Sequence, residues 1–199
     1  MPSQLGQFGV ERASDVLEEP ITFADVQANS RIDSTGEQSL IESLIVSARM
    51  LAEQYLHRTL VTETKILSLD GFGGQVIKLP APPLQAVAEI RYKPTASAPW
   101  CVWESEFYHW DAISEPGRVA PNPGYWWPVI EQRTMGCVRI EYVAGYGQPA
   151  DIPAPIKQGL LMLVGHWFEN RESSSEMVPK PLQFSFESLM YAFRWGDLH

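Results

Sequence analysis

Two cysteines in 199 residues, Cys101 and Cys137, are too few for a disulfide framework or a thiolate zinc site. Both fall in stretches that read as strands, and both are expected to be reduced packing residues. Basic side chains are scarce as well: 15 Lys and Arg stand against 24 Asp and Glu, a formal charge of −9. Grip on phosphate comes from clustered Lys and Arg, so tight nucleic-acid binding is disfavoured, while a surface past which DNA slides without sticking remains compatible. Residues 1–20 carry Glu11, Asp15, Glu18 and Glu19 and no long apolar run. Neither a secretory signal nor a membrane span is therefore expected, and the chain should be made and kept in the cytoplasm. Internal repeats and long low-complexity tracts are also missing, which argues against a solenoid or a disordered chain.

What the chain does have is apolar surface. Hydrophobic residues make up 45% of it, with seven Trp, eight Phe and seven Tyr, enough to offset chain entropy in one core or in one core with an inserted module. Residues 1–19 show no clear period and read as a flexible arm, or as an element ordered only by a neighbour. Thr22 followed by Asp25 has the form of a capping box opening a short helix to about Ser30. From Gly36 to Arg58, Leu40, Ile41, Leu44, Ile45, Ala48, Leu51, Ala52, Tyr55 and Leu56 recur at helical spacing, with Glu37, Glu42, Arg49 and Glu53 off the stripe.

After Val61 the period changes to alternation. Strands are expected over Thr62–Asp70, Val76–Leu79 and Val87–Lys93, separated by Gly71-Phe72-Gly73-Gly74 and Pro80-Ala81-Pro82-Pro83. Trp-rich pieces follow at Trp100–Glu104 and Phe107–Asp111, then a Pro/Gly-rich stretch from Pro116 to Pro128 and a strand over Cys137–Val143. Prolines 153 and 155 suit a helix start, and Ile156, Leu160, Leu161, Leu163, Val164, Trp167 and Phe168 carry that helix to about Arg171. Ser173–Gln183 reads as a loop and Ser185–Arg194 as a last short helix. The expected class is α+β: a small helical bundle built from both chain ends (20–60 and 148–172) with an inserted antiparallel β module (61–147) and a C-terminal loop and short docking helix (173–199).

Few residues are placed for chemistry. His166 precedes Glu169 and Glu172, yet a packed or interface-bonded histidine is the simpler reading, and His57, His109 and His199 share no metal-ligand spacing. Gly71–Gly74 lacks the Gly-Lys-Ser/Thr of a phosphate loop, and Gly145-Tyr146-Gly147 lacks the spacing of a dinucleotide fingerprint. No catalytic, metal or cofactor residue is assigned. Trp100, Trp103, Trp110, Trp126 and Trp127 read as core and interface anchors, with an aromatic platform for sugar or single-stranded nucleic acid as the alternative. The C-terminal Phe184, Phe186, Leu189, Tyr191, Phe193 and Trp195 are rich for a chain end and suit docking on a partner. Deleting residues 184–199 is expected to leave the fold soluble while abolishing attachment to that partner.

Several separated segments resemble the head-tail connector (adaptor) family of long-tailed double-stranded DNA bacteriophages, in the variant with a β insertion. They are Glu19-Pro20-Ile21-Thr22 with Arg31-Ile32-Asp33, the helix from Leu40 to Tyr55, Leu79-Pro80-Ala81-Pro82-Pro83-Leu84, Val143-Ala144-Gly145-Tyr146-Gly147, and His166-Trp167-Phe168-Glu169-Asn170-Arg171-Glu172. Pro99–Pro128 and the tail Trp195–His199 depart from the pattern. The resemblance implies a non-enzymatic virion protein at the head–tail interface, present in the host cytoplasm during assembly. It implies a homo-oligomeric ring of about twelve copies beneath the portal, meeting a downstream stopper or tail-completion protein and letting packaged DNA pass without specific binding or any membrane contact. It also raises, beside an ordinary solvated helix end, the alternative that Arg171 pairs with an acid of the next subunit; Trp167, Trp126, Trp127 and the C-terminal aromatics are the interface candidates, and Glu37, Glu42 and Glu53 are candidates for a channel lining or for an ordinary solvated outer face. A glycan- or ligand-binding module and a hydrolase are the rival classes.

Overall fold

The structure, a computed structural model, describes residues 8–14, 18–30, 36–131, 135–170 and 180–196. Its elements run β1 (Phe8–Arg12), α1 (Phe23–Ser30), α2 (Gln38–Leu56), β2 (Glu63–Leu69), β3 (Ile77–Lys78), β4 (Leu84–Tyr92), β5 (Cys101–Trp103), β6 (Tyr108–Asp111), β7 (Arg118–Pro121), β8 (Val138–Ala144), α3 (Ala154–Glu169) and α4 (Lys180–Met190). The class is α+β, with helices from both ends of the chain and antiparallel sheets between them. Two compact units result: a sheet unit, Met1–Asp15 with Thr62–Gly145, and a helical unit, Val16–Val61 with Tyr146–His199.

In the helical unit the capping box forms as its sequence requires. The Thr22 N–H donates to Asp25 Oδ2 at 2.7 Å, and the Asp25 N–H donates to Thr22 Oγ1 at 3.2 Å, satisfying donors that the first turn leaves open. Helix α2 buries Ile41, Ile45, Ala48, Ala52 and Leu56 and stops at His57, whose left-handed φ of 54° ends the helical run. Pro155 occupies the first turn of α3, where its missing N–H costs nothing. Ile156, Leu160, Leu163 and Val164 of α3 complete the core with Phe186 and Met190 of α4. Gly159 makes the α3–α4 approach possible: a Cβ there would lie 2.4 Å from Met190 Cε and 3.4 Å from the Phe186 ring.

The sheet unit contains a five-stranded antiparallel sheet, β1-β2-β8-β4-β5, and a three-stranded one, β3-β7-β6. Strand β8 shows the period of two plainly: Val138, Ile140, Tyr142 and Ala144 are buried while Arg139 and Glu141 turn the other way. Leu67, Ile90, Ile140 and Tyr142 from the larger sheet share one core with Ile77, Tyr108 and Val119 from the smaller.

Three expectations change. Phe8–Arg12 is not an arm but the edge strand β1, held in register against Lys65–Leu69 of β2. The Pro/Gly-rich stretch contains β7, the central strand of the smaller sheet. Helix α4 begins at Lys180 inside the expected loop, because Pro181 is compatible with a first helical turn. Residues 171–179 lie outside the described residues.

Candidate interaction surfaces

Three polar networks fasten the scaffold. Buried Arg49 on α2 donates from Nε to Glu19 at 2.7 Å and from Nη1 to Glu53 at 2.9 Å. Glu53 Oε1 in turn accepts the Leu60 N–H at 3.0 Å. Glu53 is therefore committed inward and does not suit a channel lining; Glu42, bonded by Gln38 at 2.8 Å, is exposed. In the sheet unit the fully buried Glu63 carboxylate meets Arg12 Nε at 2.5 Å and the Lys65 ammonium. Burial first, and the Glu63 charge second, raise the pKa of Tyr142, whose hydroxyl donates to the Pro80 carbonyl at 2.9 Å. At the β6–β7 hairpin, Asp111 accepts from the Ile113 and Ser114 N–H groups, the Ser114 hydroxyl and Arg118. The Ser114 hydroxyl and these backbone donors hold its carboxyl well below the usual range.

His166 faces Asn170, with Nδ1 and Nδ2 3.0 Å apart, and among the described residues no three His, Cys, Asp or Glu side chains converge as a metal site. The Cys137 thiol donates to the Asp70 carbonyl at 3.2 Å, and both cysteines are free thiols.

The five tryptophans of the sheet unit divide into three kinds. Trp103 is buried and stacks on Tyr108, with centroids 5.4 Å apart, and Trp127 stacks on Phe72 at 4.6 Å while donating its indole N–H to the Gly74 carbonyl at 2.7 Å. Trp100 carries two cations on its ring, Lys93 Nζ at 5.0 Å and Arg139 Cζ at 4.8 Å from the centroid. Trp110 and Trp126 are exposed, Trp126 at 77%, alongside Tyr125, Val129 and Ile113. The five do not form one platform.

The C-terminal candidates divide too. Phe186 belongs to the core, Trp167 and Phe193 pack against it, and Leu189 is half-buried. Arg194 lies over the Tyr55 ring at 5.0 Å, the Trp195 N–H donates to the Leu56 carbonyl at 2.9 Å, and Arg58 donates to the Phe193 carbonyl. Phe186 is thus structural rather than an open docking residue, because helix α4 closes the bundle. Among the described aromatic side chains of this segment, Tyr191, 67% exposed, is the one that faces outward. Arg171 and the side chain of Phe184 lie outside the described residues. Sequence reasoning missed Arg91 and Arg139; the signal was there in Glu89-Ile90-Arg91 and Arg139-Ile140-Glu141, where charges alternate with buried isoleucines.

The arrangement suits docking: stable frames that leave large apolar side chains open. A family model described as head completion protein matches residues 19–178. Among solved structures the chain is similar to one from the neck of an empty gene transfer agent particle computed with C6 symmetry, with TM-score 0.79, 16% identity, and 96% of this chain and 97% of that one covered. It is also similar to chains from the virion of the native gene transfer agent particle and from the native neck computed with C12 symmetry, each with TM-score 0.77, 18% identity and the same coverage. At these identities the likeness is one of fold. No protein of curated function matches the sequence.

Proposed function

The chain belongs to the head completion protein family, and from this we propose that it is an adaptor of the head–tail connector, forming a ring beneath the portal that extends the DNA channel. It is a structural virion protein of the head–tail interface, and it acts by assembly rather than by a reaction. The family match over most of the chain carries the reading. Exposed Trp126, Tyr125, Val129 and Ile113 support it, because a ring needs apolar surface beyond what one subunit's core consumes. The similar chains from necks computed with six- and twelve-fold symmetry fit a ring of about twelve copies.

The portal binds on one side and a stopper or tail-completion protein on the other. Among the described apolar side chains of the C-terminal segment, exposed Tyr191 and half-buried Leu189 are the candidates to meet the portal. DNA passes through without specific binding, consistent with the net charge of −9. Mass-resolved sizing of the chain, alone and mixed with the portal of the same particle, followed by imaging of any large species, tests this. A free or portal-bound ring supports the adaptor role. A strict monomer that ignores the portal overturns it and turns attention to Trp126 and Tyr125 as a ligand site.

A further inference from the structure

Strands β4 and β8 segregate their charges in a way that an isolated sheet does not favour. Ile90 and Ile140 pair in the core, so the residues on either side of them turn to the opposite face. There Arg91 lies directly opposite Arg139, and Glu89 directly opposite Glu141. Like charges facing each other across strands destabilise a sheet, and exchanging the two residues of one strand would create two attractive pairs with no change in composition. Along the strand, Arg91 ion-pairs with Glu89. Lys93, two positions beyond Arg91, shares the Trp100 ring with Arg139. A chain of net charge −9 therefore gathers three cations in one row, with Arg139 exposed and the Arg91 side chain 52% exposed. Places where a protein breaks a local rule are places where another demand outweighs it.

We propose that the row formed by Arg91, Arg139 and Lys93 is a docking strip for the acidic helical unit of a second copy of this chain. This rests on the ring reading above and gives it a specific contact. Ring closure joins two different faces of each subunit, and of the two units the helical one is the more acidic. The helical unit has 13 acidic residues against 7 basic, while the sheet unit has 11 against 8. Identical chains of charge −9 repel at a distance, and a cationic strip on one face that meets acids on the other offsets that repulsion. A guanidinium stacked on an aromatic face keeps its N–H rim available to carboxylates, which favours arginine at such a contact.

Nucleic acid fits the strip less well. The Glu89–Glu141 row lies two residues along the strands, about 7 Å away, within the screening length of about 8 Å at physiological salt. An extended polyanion laid on the arginines would run beside those carboxylates, whereas a protein surface can place single acids on the cationic row alone.

The test is a transposition, Arg139→Glu together with Glu141→Arg, in the full chain. It keeps the net charge and converts both like-charged pairs into attractive ones. The variant is expected to resist urea at least as well as the parent, yet to associate into rings on the portal at least about tenfold more weakly. Arg91→Gln with Arg139→Gln provides a second variant and should weaken association with the fold intact. Parent rings should also loosen as sodium chloride is raised. Undiminished ring formation by both folded variants overturns the docking strip while leaving the adaptor reading in place; failure of the parent itself to assemble overturns both. Loss of binding to a duplex DNA probe, with normal rings, would instead reassign the strip to nucleic acid and overturn the proposal.

Discussion

In the helical unit Tyr55, Trp167, Phe168, Phe186 and Phe193 lie in the core or against it, and the last segment is tied back by Arg58 and by the Trp195 backbone. In the sheet unit Trp103 and Trp127 are packed, but Trp110, Tyr125 and Trp126 remain open together with Ile113 and Val129. The difference follows from geometry. A helix can turn a stripe of three or four residues per two turns onto its neighbours. A sheet buries alternate residues, and the long connection from β7 to β8 carries apolar side chains that neither sheet face covers. Substitutions of these packed residues of the helical unit should therefore be felt first as lost stability. In the sheet unit, stability and assembly can be separated.

The largest effect expected from this contrast is deletion of residues 184–199. The deletion removes Phe186, 5% exposed, and Met190, fully buried, whose single truncations to alanine are each worth roughly 2–5 kcal/mol. Against the expectation of an intact soluble fold, it should unfold the helical unit, because Phe186 and Met190 belong to its core; hydrogen exchange would follow this, with amides of β2, β4 and β8 still protected. A truncated chain with native protection in α2 and α3 would break the comparison. Next comes Arg49→Leu, which leaves Glu19 and Glu53 facing each other without their cation; about 3 kcal/mol should be lost in urea unfolding, since Glu19 is partly solvated.

The same contrast decides what could be read beforehand. Helix α2 and the box of Thr22 and Asp25 were legible because their signals are local: a period of 3.6 and a pair three residues apart. Strand β8 was legible for the same reason, at a period of two. Strand β1 was not, because Phe8-Gly9-Val10-Glu11-Arg12 becomes a strand through pairing with β2 more than fifty residues away. Strand β7 is four residues, the last of them Pro121, too short to show a period. That Phe186 is core rather than docking surface depends on Gly159 of α3, a contact between residues far apart in sequence. The buried charges Arg49 and Glu63 were illegible too, since sequence shows a charge but not its burial.

A smaller effect tests the local signal itself. The Thr22 N–H and hydroxyl hydrogen-bond the Asp25 carboxylate and lower its pKa. A depressed carboxyl stabilises the fold fully above its unfolded value, near 3.9, and that contribution disappears as pH falls through the lower folded value. Asp25→Asn should therefore cost about 0.5–1 kcal/mol at pH 7. The gap between parent and variant should close below about pH 4, measured by urea unfolding at several pH values. A gap that persists in acid would mean that the carboxylate charge is not what caps α1.

The smallest expected change in stability carries the largest expected change in assembly. Trp126 and Val129 are 77% and 91% exposed, so Trp126→Ser with Val129→Ser should move the urea midpoint by no more than about 0.5 kcal/mol equivalent. Large aromatics that become fully desolvated at an interface are worth about 2 kcal/mol or more each, so ring formation or portal attachment should weaken by roughly thirtyfold or more. Tyr125 is left in place because it packs on Phe107, with centroids 5.0 Å apart, and its removal would mix stability with binding. If the double variant assembles like the parent, the open apolar side chains of the sheet unit are not its interface. The charged row on β4 and β8 would then have to hold neighbouring copies together without them.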